Sequence, residues 1–265
     1  MNLKLTIAYD GSPFLGWQSQ CHGNSVQDII EGAFSKILGK DLVVHGASRT
    51  DRGVHALAQV AHVKIEEVSK KINHPDCLKR ALNASLPPQI RILRVQKAPA
   101  TFHARFDAKS KIYSYRLWHD DLLPPHLYQR SWHIYGQLDL SLLEEIGSAL
   151  LGRHDFRGFT TKSGSMRRNT IRTLYALKII KRGRDIRFFF HGDGFLYHMI
   201  RILVGSMIAV ARGRASISSF LERLHHAQPS SLPSSAPAQG LYLVHVFYKK
   251  QAVVTQLPSW KLSEG

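Results

Sequence analysis

Nine residues, Ser48 to Ala56, constrain this chain more than any other stretch. They read Ser-Arg-Thr-Asp-Arg-Gly-Val-His-Ala and stand between an apolar run, Leu42 to His45, and an alternating one, Ala58 to Ile65. Both flanks have the residue types and the period of strands, which makes the charged segment a turn on a rigid frame. Asp51 has Arg49 two residues before it, Arg52 directly after it and His55 four residues on. Carboxylates beside guanidinium groups stay ionised and can act as nucleophile or base without a cofactor. The same residues also fit a plain turn, in which Asp51 bonds its own backbone and the arginines face water. Spacing alone leaves both readings open.

Charge adds a partner to this picture. Lys and Arg number 36 against 19 Asp and Glu, a net charge of +17, which is far beyond what solubility needs and points to a polyanion, nucleic acid first. A membrane surface is the rival polyanion, but no long basic amphipathic helix or lipidation signal speaks for it. The two cysteines, Cys21 and Cys77, lie far apart and lack metal-ligand spacing, so they read as reduced thiols. No window is long and apolar enough to span a bilayer, and Met1 to Ile7 alternates as a strand does rather than forming a signal segment. The expectation is a cytoplasmic protein with no membrane association.

Along the chain, Leu3, Leu5 and Ile7 share one strand face, followed by the loop Tyr9-Asp10-Gly11-Ser12-Pro13-Phe14-Leu15-Gly16-Trp17-Gln18. Its aromatic residues are costly to expose, so they anchor the loop in the core or offer stacking surfaces. Ser25 caps a helix with apolar positions Val26, Ile29, Ile30, Ala33, Phe34, Ile37 and Leu38 that ends at Gly39. A helix over 78–86 and a strand over 90–95 come next, then Phe102-His103-Ala104-Arg105-Phe106. The strand Lys111 to Trp118 puts Tyr113, Tyr115 and Leu117 on one face. From Asp139 a helix runs to Gly152, before His154-Asp155-Phe156. Lys162, Arg167, Arg168 and Arg172 give the following loop the donors for phosphate contact. Leu174 to Ile180 and Ile186 to Phe190 form a hairpin, and Gly194 leads into an apolar helix holding one arginine, Arg201. A cation in so apolar a run is costly unless it meets a carboxylate or phosphate. A short helix over 217–226, a Pro/Ser/Ala-rich loop and a final strand, Gly240 to Tyr248, precede a tail.

Six of these segments, in this order, resemble motifs of the TruA-type tRNA pseudouridine synthases: the Tyr9–Gln18 loop, Ala47–Ala56, Phe102–Arg105, Gly152–Phe156, Gly194–Arg201 and Gly240–Val244. The resemblance covers nearly the whole chain to Tyr248. It implies an α+β pseudouridine synthase fold, two similar α/β halves with a mainly antiparallel sheet and a basic central cleft. The expected division is 1–106, 107–248 and a tail, 249–265. It further implies an isomerase that converts uridine to pseudouridine at tRNA positions 38 to 40 in the anticodon arm, without cofactor or metal, and that acts as a homodimer. In this reading Asp51 is the nucleophile, Arg49 and Arg201 hold it, and Tyr113 and Leu241 shape the pocket for the target base. Arg52, His55, Arg105, Arg167 and Arg168 are the further substrate-binding candidates.

Two positions depart from the family pattern, Ser48 for glycine and Arg52 for alanine. Neither removes a reacting group. The rival readings are an RNA-binding protein of the same fold without catalysis, and another base-modifying enzyme. A zinc deaminase fails on its residues, since no His-x-Glu with a downstream Cys-x-x-Cys occurs, and no glycine-rich fingerprint supports an ATP- or NAD-dependent enzyme.

Overall fold

The N-terminal alternation becomes the central strand of a sheet. The computed structural model describes residues 1–21, 23–65, 74–161, 169–226 and 235–249. In chain order the elements are β1 (Asn2–Tyr9), α1 (Val26–Leu38), β2 (Val44–Gly46), β3 (His55–Lys64), α2 (Pro75–Ser85), β4 (Ile90–Ala98), β5 (Ser110–His119), β6 (Trp132–Ile134), α3 (Leu140–Ala149), β7 (Gly152–Asp155), β8 (Ile171–Arg182), β9 (Asp185–Gly192), α4 (Met199–Ala211), α5 (Ile217–His226) and β10 (Leu241–Phe247). They fall into two units, Met1–Lys109 with Ala238–Tyr248, and Ser110–Pro237.

In the first unit β1 lies between β3 and β4 and is antiparallel to both, with Leu5 opposite Ala61 on one side and Val95 on the other. Leu3, Leu5 and Ile7 are buried on one face, as their alternation requires. The α1 helix starts in a capping box: Ser25 Oγ accepts the Asp28 N–H and Asp28 Oδ2 accepts the Ser25 N–H, at 3.1 and 3.0 Å. It stops at Gly39, whose φ of +66° closes the last turn. Val26, Ile30, Ala33 and Phe34 face the core, while Ile29, Ile37 and Leu38 are half-buried.

The final strand differs from expectation. Placed by sequence with the second half, β10 instead runs parallel to β3 in the first unit, Tyr242 beside His55 and Leu243 beside Ala56. Chain order cannot reveal this, because a strand pairs wherever a hydrogen-bonding edge is open and a parallel partner needs no nearby turn.

The second unit has an antiparallel run β5-β9-β8-β7, with β6 parallel to β5. The β8–β9 hairpin turns at Gly183-Arg184, and β8 begins at Ile171, earlier than its apolar run suggests. Helices α3, α4 and α5 pack together, and α4 is buried along nearly its whole length. Phe156, Phe159 and Phe220 form an aromatic group beneath them, and Arg223 closes it. Its Nε donates to the Gly158 carbonyl at 2.6 Å, and its guanidinium stands 4.9 Å from the Phe159 ring centre. Among the described residues no helix is long and apolar enough to cross a membrane.

Candidate active site

The Asp51 turn is held in place by a segment that precedes it by some forty residues. Trp17 N–H donates to the Thr50 carbonyl at 3.0 Å, and the Tyr9 and Thr50 hydroxyls share a buried hydrogen bond of 2.8 Å. The loop lies so close that side chains would not fit. A Cβ on Gly11 would sit 2.0 Å from the Val54 carbonyl oxygen, and one on Gly16 would sit 2.7 Å from that of Thr50. Gly16 also has a φ of +96°, so only glycine meets both demands. This explains why the Tyr9–Gln18 and Ala47–Ala56 motifs go together: the first is the mould of the second. From the other side, Gln59 brackets Ser48, its Nε2 donating to the Ser48 carbonyl at 2.6 Å and its Oε1 accepting the Ser48 N–H at 3.3 Å. Within the turn Val54 N–H returns to the Asp51 carbonyl at 3.1 Å, across Gly53 at φ +77°.

On this frame Asp51 is half-buried, while Arg49 and Arg52 are exposed. The Ser48 backbone lies outside the left-handed region, so a side chain there brings no backbone strain. His55 is buried at 2% exposure, with its ring stacked on Tyr242 at 4.6 Å. Its Nδ1 is 3.1 Å from the Gly11 N–H and 3.2 Å from an Asp10 carboxylate oxygen. A bare Nδ1 accepts from Gly11, and a protonated one donates to Asp10. The His55 contact, reinforced by Ser12, holds the Asp10 carboxyl well below the usual carboxylate range. Leu241 is buried one residue before the Tyr242–His55 pair, and Ala238 is next to Gly53, so the entry to β10 runs along the turn. Arg105 is exposed in the turn that follows β4.

Among the described residues, two expected site residues belong to the second unit. Tyr113 is buried on β5, with its ring edge-on to Phe195 at 5.3 Å. Arg201, half-buried in the first turn of α4, donates through Nε to the Ala236 carbonyl at 2.8 Å and through Nη2 to the Ser235 hydroxyl at 3.4 Å. The cost of a cation in an apolar helix is therefore offset in part by backbone and hydroxyl oxygens. Arg167 and Arg168 lie outside the described residues. Sequence reading missed Gln59 and Tyr242, whose places beside the turn come from bonds to Ser48 and a ring stack on His55. The pairing of a glycine-bearing loop with a charged turn was the available signal for Gly11 and Gly16.

A family model described as tRNA pseudouridine synthase matches residues 5–107 and again 147–249, which takes in the Asp51 turn in the first match and α4 and β10 in the second. The chain belongs to the tRNA pseudouridine synthases. Relatives of this synthase are similar along nearly their whole length. The tRNA pseudouridine synthase A of Methylacidiphilum infernorum is 38% identical, over 92% of this chain and 94% of its own. That of Acetivibrio thermocellus is 37% identical over 93% and 99%, and a tRNA pseudouridine synthase A 2 of Bacillus cereus is 35% identical over 92% and 98%. Among solved structures, a Cbf5-Nop10-Gar1 complex aligns with 78% of this synthase and 44% of its own chain, at 13% identity and a TM-score of 0.35, too low a likeness to inform the fold. As a pseudouridine synthase the protein is an isomerase, and its mixed α+β build with mainly antiparallel strands is the one its family implies.

Proposed function

We propose that this synthase isomerises uridine at tRNA positions 38 to 40, in the anticodon arm, with Asp51 as the nucleophile and no cofactor. One observation carries the reading. A half-buried carboxylate sits on a turn that is moulded by Gly11 and Gly16 and flanked by two exposed arginines. Such fixing suits a group that must meet a ribose carbon or proton at one position, since misplacement is what costs rate.

In the reaction the N1–C1′ glycosidic bond breaks, the base turns, and C5 bonds to C1′. N1 gains a proton and C5 loses its hydrogen to solvent. Asp51 starts the cleavage, Arg49 and Arg201 hold the carboxylate, and Tyr113 and Leu241 receive a uridine drawn out of its stack. Extrusion costs a few kcal/mol, which phosphate contacts by Arg52, Arg105, Arg167 and Arg168 offset. His55, buried under Tyr242 and beside Gly11, serves substrate binding by positioning the turn. The net charge of +17 and the names of the relatives support tRNA as the polyanion. We further assign the enzyme to the cytoplasm and to a homodimeric state.

The test is tritium release from tRNA carrying uridine labelled at C5, for wild type and Asp51→Asn. Wild type releases label and Asp51→Asn does not, while both retain tRNA on a filter. Release that survives in Asp51→Asn would remove that residue from the chemistry, and a folded wild type that binds but never releases would leave an RNA binder without this activity.

A further inference from the structure

Within the first unit, with Arg49 but not Asp51 among its walls, lies a pocket of about 220 Å³. Trp17, His45, Arg49, His103, Arg105 and Phe106 are among the residues that line it. Phe106 is the unusual member, a large apolar ring left 73% exposed. Exposure of a phenylalanine is unremarkable on a loose loop, but this turn is built with care. His103 N–H donates to Asp107 Oδ2 at 2.9 Å, and Asp107 N–H returns to the His103 carbonyl at 3.1 Å. His103 Nδ1 accepts from the Arg105 and Phe106 N–H groups at 3.2 and 3.3 Å. Ala104, fully buried, is fastened at both ends: its N–H donates to His62 Nδ1 at 3.1 Å and its carbonyl accepts the Tyr248 hydroxyl at 2.7 Å. The Phe106 ring rests on His103 at 4.2 Å, and the Arg105 guanidinium stands 5.9 Å from its centre.

A fixed aromatic ring open to water, with two exposed arginines at the same pocket, has the parts of a single-strand nucleotide site: a stacking surface for a base and paired donors for a phosphate. We propose that this pocket binds one unpaired nucleotide of the RNA substrate, other than the target uridine, with its base on Phe106 and its phosphate on the paired donors of Arg105, Arg49 being kept for Asp51. The proposal rests on the tRNA reading given above. It makes Phe106 a specificity residue, since a stacked base must be unpaired and must lie a fixed distance from the Asp51 turn. Stacking reads no hydrogen-bond pattern, so the subsite registers the shape of a loop and tolerates any base.

The experiment compares wild type, Phe106→Ala, Phe106→Trp and Arg105→Gln with an unmodified full-length tRNA transcript, reading Kd by filter binding and turnover by tritium release. Phe106→Ala is expected to raise Kd by about 5- to 140-fold, the range for one lost base stack. Phe106→Trp restores binding, and Phe106→Ala at saturating tRNA keeps the wild-type kcat. Arg105→Gln lowers the slope of log Kd against log salt by about one, whereas Phe106→Ala leaves that slope unchanged. Equal Kd for wild type and Phe106→Ala, with tritium release intact, overturns the subsite and leaves the isomerase standing. A loss that Phe106→Trp does not restore assigns the ring a folding role and overturns it too. Unchanged RNA affinity with weakened self-association would place a second copy of the chain on Phe106, against the proposal. A wild type that binds tRNA in a Phe106-dependent way without releasing tritium overturns the isomerase reading alone.

Discussion

His62 makes the first unit sensitive to acid. The ring is 2% exposed, Nδ1 accepts the Ala104 N–H at 3.1 Å, and His45 and His103 face it with ring centres 5.0 and 4.5 Å away. Burial first, then the proximity of His103, His45 and Lys64, pushes its pKa down from 6.5 to about 4. A histidine whose folded pKa is depressed binds fewer protons folded than unfolded between those two values. Its contribution to stability is thus complete above about pH 6.5 and is lost progressively as the pH falls towards about 4. At about 1.4 kcal/mol per pH unit the loss comes to about 3 kcal/mol. Protonation also puts a hydrogen on Nδ1, where the Ala104 N–H needs an acceptor, so the charge and the broken bond act in the same direction. The replacement His62→Phe keeps a ring but does not titrate, and it leaves the Ala104 N–H unpaired at a cost of about 1–3 kcal/mol. Urea unfolding followed by tryptophan fluorescence at pH 7.5, 6, 5 and 4.5 should show the variant weaker than wild type at pH 7.5. The two should converge by pH 4.5. Parallel stability curves over that window would refute the reasoning, because the slope would then belong to other groups.

Three further substitutions probe the frame. Gly16→Ala forces a Cβ to within 2.7 Å of the Thr50 carbonyl at a φ of +96°, and about 2–4 kcal/mol of stability and most of the tritium-release activity should be lost. Gly39→Ala, at φ +66° with nothing within 4 Å, is the matched control and should cost about 1 kcal/mol with activity intact. Equal activity in the two variants would mean that the Tyr9–Gln18 loop does not set the Asp51 turn. Arg223→Met strips the Gly158 carbonyl of its 2.6 Å donor inside the aromatic group of the second unit, and a thermal melt followed by circular dichroism should show a loss of about 1–3 kcal/mol. An unchanged melting temperature would show that the apolar side chain compensates for the missing bond.

The parts of this protein that could be read from residues are those fixed by neighbours in the chain. Ser25 with Asp28 announces the start of α1, Gly39 its end, and the alternation of Leu3, Leu5 and Ile7 a buried strand face. The strands on either side of the Asp51 turn were legible for the same reason, although β3 begins at His55, three residues before the alternation does. What stayed hidden depends on partners far along the chain. Nothing near Leu241 says that its strand lies parallel to β3, and nothing near Arg201 says that Ala236 and Ser235 accept from it. His55 shows the limit most clearly. In the sequence it looks like one more charged group of an exposed cluster, while in the fold it is a buried support pressed between Gly11, Asp10 and Tyr242. Residue type and spacing report chemistry that a side chain is able to do, and burial decides whether it meets the substrate or the scaffold.

The parallel pairing of β3 and β10 has a consequence for the order of events during synthesis. The strand that follows the Asp51 turn, β3, takes β1 on one side and β2 on part of the other, both of which leave the ribosome early, and its His55–Ala56 end is covered by residues 241–247. While the intervening residues are being made, the His55–Ala56 end of that edge stays unpaired, although β2 already covers Ala61–Val63, and His55 has no Tyr242 above it. A nascent chain that stops short of residue 241 therefore holds every residue of the Asp51 turn and still lacks the strand that covers its His55 end, so the frame of the turn is closed by a segment made nearly two hundred residues after it.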